Sequence, residues 1–99
     1  MKTYTTSMYL GVKKVARTQG LCEILQRALE DAAEDEDRVT FDEVRLLQSS
    51  GSIYVALLVR AQSAQDAADR AERVYASALN MMGSGADALV RRQTSLSYA

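Results

Sequence analysis

The chain contains no histidine and no tryptophan, a single cysteine and a single phenylalanine. Each shortage closes something off. Without histidine the commonest general base and metal ligand is missing, and a Cys–His nucleophile cannot be assembled from this chain. One cysteine, Cys22, excludes an internal disulfide and fits a reducing compartment. The longest apolar stretch is the seven residues Ile53 to Val59, far short of the ~20 needed to cross a bilayer as a helix. The N-terminus, MKTYTTSMYL, has no continuous apolar segment of the signal-peptide kind. Glycine is scarce too, and no glycine-rich phosphate loop links a strand to a helix start. These readings predict a cytoplasmic protein with no membrane, cofactor or metal requirement and no enzyme activity.

What is present is an ordinary globular balance, 47% hydrophobic and 25% charged in 99 residues. That is one domain of common size, able to bury roughly two-thirds of its unfolded surface. The net charge of −1 hides an asymmetry. Residues 1–20 carry Lys2, Lys13, Lys14 and Arg17 and no acid, whereas residues 21–50 carry nine acids against three arginines. An acidic middle third argues against a general nucleic-acid binder, which would present a basic face.

Hydrophobic periodicity divides the chain. TYTTSMYLGVK alternates, with Tyr4, Thr6, Met8, Leu10 and Val12 on one side and Tyr9 on the other, and predicts a strand. LCEILQRALEDAAEDED places Leu21, Ile24, Leu25, Ala28, Leu29 and Ala32 at helical spacing, with Thr18 as N-cap. Its acidic end opposes the helix dipole, so the last turn should fray. RVTFDEVRLLQSS and IYVALLVRAQ predict two strands joined by a short turn. SAQDAADRAERVYASALNMM predicts a second helix, capped by Ser63 and stopped by Gly83. After a Gly/Ser link, Thr94, Leu96 and Tyr98 share one side of a fourth, edge strand. The expected division is one α+β domain over residues 1–82 and a link with a C-terminal segment over 83–99.

The order β-α-β-β-α(-β) resembles the split βαβ, ferredoxin-like arrangement, an antiparallel sheet with two helices on one face. The resemblance is one of topology alone, and that architecture hosts many unrelated functions.

The third strand carries the most information. A half-buried strand should alternate apolar and polar residues, but Ile53, Val55, Leu57 and Val59 alternate with Tyr54, Ala56 and Leu58. Two helices cover one set. The other set, with Leu47 and Tyr9 from neighbouring strands, is left as an apolar patch of the kind that marks interaction sites. A homo-oligomer formed through that face is the expected state. The plainer alternative is that the C-terminal segment folds back to cover it.

Other features carry less. EDAAEDED packs six acids into eight positions but lacks the spacing and glycine of a calcium loop. It reads as a solvated helix end, or as a docking surface in which Glu34, Asp35, Glu36 and Asp37 meet Lys13, Lys14 and Arg17 of another copy. Cys22, at helical spacing beside Leu25, reads as a small core residue. An RNA-recognition sheet would want two aromatics at alternate positions on the third strand, and only Tyr54 is there. The function expected is thus a non-enzymatic protein–protein interaction module, self-associating through the apolar sheet face or part of a larger assembly, with a second copy or another protein as partner. Two alternatives stand beside it. One is a dimeric barrel, ligand-binding or catalytic, with a pocket at the sheet face. The other is a small inhibitor, for example phage-encoded, docking its acidic stretch on a basic host surface.

Overall fold

Why the third strand tolerates apolar residues on both sides becomes clear from its place in the sheet. A computed structural model describes residues 1–12, 18–47, 51–83 and 89–98. The elements run β1 (Lys2–Val12), α1 (Thr18–Glu34), β2 (Val39–Leu47), β3 (Ser52–Ala61), α2 (Ala64–Met82) and β4 (Leu89–Tyr98). They build a mixed α+β structure around one open antiparallel sheet of four strands, ordered β2-β3-β1-β4. β3 and β1 are therefore central, and β2 and β4 form the edges.

Tyr4, Met8 and Leu10 of β1 and Ile53, Val55, Leu57, Val59 and Ala61 of β3 are buried on one face of this sheet. They join Leu25, Ala28, Leu29 and Ala32 of α1 and Ala67, Ala71, Val74, Tyr75 and Ala78 of α2 in a single core. Burying a side chain the size of Leu, Ile or Met contributes ~1.5–3 kcal/mol, so this layer dominates the stability of the fold. The run of alanines on both helices lets their backbones lie close to each other and to the sheet.

α2 has well-defined ends. Ser63 is extended and its Oγ accepts the Asp66 amide at 3.1 Å, which satisfies one of the unpaired donors of the first turn. Gly83, at φ 58°, returns its amide to the Asn80 carbonyl, a left-handed stop that glycine adopts without strain. At the β2–β3 connection Gly51, at φ 65°, donates to the Leu47 carbonyl at 2.9 Å.

α1 follows expectation at its acidic end and departs from it at Ile24. It ends at Glu34, before the last acids. The amides of Asp35 and Glu36 turn to the carbonyls of Ala32 and Ala33 at 3.3 and 3.1 Å, a tightened final turn where more negative charge on the dipole's negative end is unfavourable. Ile24 is 54% exposed. The buried stripe is centred on Leu25, Leu29 and Ala32, and at 3.6 residues per turn Ile24 lies about 100° from Leu25.

Both edge strands contain a bulge. In β2 the pairing jumps from Phe41↔Leu57 to Glu43↔Ala56, so Phe41 and Val44 both face the core, which strict alternation forbids. In β4 it jumps between the partners of Tyr9 and Leu10, from Gln93 to Arg91. Downstream of that bulge Thr94, Leu96 and Tyr98 sit opposite Met8, Thr6 and Tyr4. The C-terminal segment is thus a strand beside β1, rather than a cover for the sheet.

Candidate functional site

The sheet face opposite the helices, uncovered among the described residues, gathers the residues that the sequence nominates. β3 supplies Tyr54, Ala56 and Leu58, β1 supplies Thr5, Ser7 and Tyr9, and β2 supplies Glu43, Arg45 and Leu47. Cross-strand pairing sets them in rows. Arg45, Tyr54 and Tyr9 form one, Glu43, Ala56 and Ser7 the next, and Thr40, Leu58 and Thr5 a third.

Tyr9 and Tyr54 face each other directly, with ring centroids 5.2 Å apart and planes tilted by 56°, a favourable aromatic geometry. The Arg45 guanidinium lies 5.1 Å from the Tyr54 ring centre and pairs with Glu43 at 3.2 Å. One row away, Ala56 is only 1% exposed although no helix lies over it. Tyr54 and Leu58, its neighbours on the same side of β3, shelter it together with the flanking rows. The hydroxyls of Ser7 and Ser95 bond at 2.6 Å at the β1–β4 side of the face.

This surface differs from the purely apolar patch that β3 alone suggests. Tyr9, Leu47, Tyr54 and Leu58 are half-buried, but hydroxyl side chains and one ion pair are interleaved with them. Tyr9 and Tyr54 lie 45 positions apart in the chain. Alternation put each on the outer side of its strand, but only the register Tyr9↔Tyr54 makes them a pair.

The charged set is divided. Lys13, Lys14 and Arg17 lie outside the described residues. Glu34, Asp35 and Asp37 are exposed. Glu36 instead turns to α2, where its Oε1 pairs with Arg73 at 3.1 Å and Arg70 at 3.5 Å. The hydrogen bond that Arg73 donates to Glu36 raises the Arg73 pKa further above its already high value.

A second constellation, unforeseen from spacing, lies on the helix side between α2, β1 and β4. Arg91 grips Glu72 through its two terminal guanidinium nitrogens, Nη1 and Nη2, at 2.5 and 2.6 Å, and its Nε donates to the Met8 sulfur at 3.2 Å. The hydrogen bond from Arg91 holds the Glu72 carboxyl below its ordinary pKa. Beside this pair is a cavity of ≈ 180 Å³ bounded by Thr6, Ala71, Glu72, Tyr75, Thr94 and Leu96, among others. Burial pushes the Tyr75 phenol up to about 12, and its hydroxyl meets Thr6 only at 3.4 Å. Burial also raises the Cys22 thiol.

Among the described residues no three His, Cys, Asp or Glu side chains converge as metal ligands, and no helix is long and apolar enough to cross a membrane. Compared with protein-family models and with curated proteins, the chain matches none.

Proposed function

We propose that this protein is a non-enzymatic interaction module that associates with itself through the uncovered sheet face. The observation that carries this reading is the Tyr9–Tyr54 pair on the two central strands of that face, seated beside an alanine already shut off from solvent. Tyrosine combines large apolar area with a polar tip and is enriched where two proteins meet.

Size and charge support a second copy as the occupant. Four strands at ~4.8 Å spacing and about ten residues at ~3.4 Å each give a footprint of roughly 600 Å². Side-chain relief brings that near the ~800 Å² per partner of a standard interface. Glu43 and Arg45 lie two residues apart on the same face, so a two-fold axis can set each against its opposite in the other copy without like-charge repulsion. The same mixture of signs disfavours a nucleic-acid strand, which calls for a basic face.

The order β-α-β-β-α-β supports reading the fold as the split βαβ, ferredoxin-like kind, because β1 and β2 run parallel with β3 inserted between them. The lone, half-buried Cys22 fits a cytoplasmic setting.

Replacing Leu58 with Asp tests the reading. The half-buried side chain lies on the uncovered face, so the variant should stay folded by circular dichroism while its mass by light scattering falls to half that of the wild type. An unchanged mass defeats the proposal.

A further inference from the structure

The two edges of the sheet are built differently. β2 has its bulge at Asp42 and carries Asp42, Glu43 and Arg45 in mid-strand. Bulges and charges are the devices by which edge strands avoid pairing with another chain. β4 has a bulge as well, but it lies toward the start of the strand. From Gln93 to Tyr98 the pairing with β1 runs unbroken, Tyr9↔Gln93 through Tyr4↔Tyr98. Those six residues, Gln-Thr-Ser-Leu-Ser-Tyr, include no charge, no proline and no glycine. No described strand lies outside them, so their outward N–H and C=O groups are a free template.

The side chains of this segment are also thinly covered. α1 packs chiefly on β2 and α2, and α2 chiefly on α1, β3 and β1. Leu96 is half-buried. Tyr98 is 67% exposed, although its ring stacks on buried Tyr4 at 5.1 Å. The ≈ 180 Å³ cavity opens between Leu96 and α2, where Ala68 and Ala71 are too small to fill the gap.

We propose that the Gln93–Tyr98 edge is a second interface, at which β4 pairs antiparallel with β4 of another copy about a two-fold axis. An antiparallel edge is complementary to itself, since the same donors and acceptors recur with opposite sense. Residues directly opposite must share a side of the sheet, so Thr94, Leu96 and Tyr98 of the two copies all meet on the helix side. The arriving Leu96 or Tyr98 falls over the mouth of the cavity. A neutral segment meets its own copy without like charges opposite one another. At the β2 edge, in contrast, charges and a bulge in mid-strand oppose such pairing. This interface goes beyond the sheet-face reading, involves a different surface and does not depend on it.

Light scattering on full-length wild type, Thr94→Lys and Leu58→Asp tests it. Thr94 is exposed, and a lysine there adds a positive charge to the edge of each copy. With both interfaces formed, wild type is at least a tetramer and Thr94→Lys lowers the mass at least two-fold. If wild type is a dimer that Thr94→Lys splits and Leu58→Asp leaves intact, the edge stands and the face reading fails. If Leu58→Asp splits the dimer and Thr94→Lys does not, the edge proposal is overturned and the face stands. A monomeric wild type overturns both. Should Thr94→Lys fail to fold, amide hydrogen exchange on wild type decides. The outward-pointing amides of residues 93–98 should be protected, and protection should fall on dilution. Rapid exchange of those amides at every concentration overturns the proposal.

Discussion

Leu57 and Leu58 are neighbours on one strand with the same side chain and opposite fates. Leu57 faces the helices and has no solvent exposure, whereas Leu58 faces away and is half-buried. Across the strands Leu57 meets Thr6 and Phe41, within a buried layer that is mostly aliphatic and carries no charge. Around Leu58 it is a mixture of tyrosine, threonine, serine and one Glu–Arg pair. The difference teaches that seven apolar residues in a row serve two purposes. One face supplies the core that holds the chain together, and the other presents half-buried apolar side chains among polar ones.

Truncation at the two positions sharpens the contrast most. Leu57→Ala should cost about 2–5 kcal/mol in chemical denaturation, the range for a buried leucine whose cavity cannot collapse. Leu58→Ala should cost under ~1 kcal/mol under conditions where the chain is monomeric, because the side chain is already partly in water. Equal losses at both positions would erase the distinction between the faces.

Tyr75, beneath the covered face, gives the next largest effect. Burial raises its phenol to about 12, above the ~10 of an unfolded tyrosine. The folded state therefore favours the neutral form. Its contribution is complete below pH 10 and is lost as pH climbs from 10 through 12, to a total of roughly 3 kcal/mol. Denaturation followed between pH 9 and 12 should show stability falling in wild type and falling less steeply in Tyr75→Phe. At neutral pH that substitution should cost little, since the hydrogen bonds at 3.4 Å are long. Parallel curves for the two proteins would mean that Tyr75 is not buried as described.

The smallest effect concerns the helix that covers the face. Ser63→Ala removes the acceptor for the Asp66 amide and should lower stability by about 1 kcal/mol, without altering mass in light scattering. A change in mass would place the start of α2 at an interface.

The alternation of β1 and β3, the cap at Ser63, the stop at Gly83 and the apolar stripe of α2 were legible in the sequence because each is a local pattern. So was the side of β4 on which Thr94, Leu96 and Tyr98 lie. Three things were not. The bulges at Asp42 and before Gln93 change which side a residue faces, and nothing in the residue types there announces an extra residue. Ile24 satisfies helical spacing to Leu21 and Ala28, so only packing against the sheet settles that it lies outside the stripe. The Tyr9–Tyr54 pair and the Glu72–Arg91 grip join residues 45 and 19 positions apart, and depend on register and crossover rather than on local sequence.

The central claim is that the uncovered face is an interface between copies. It is tested most directly by the solution mass of the unmodified protein, measured by light scattering over a hundredfold range of concentration. One chain weighs 10.9 kDa. The account predicts a mass of at least twice that value, falling toward it on dilution if the association is reversible in that range. A mass of 10.9 kDa at every concentration contradicts it.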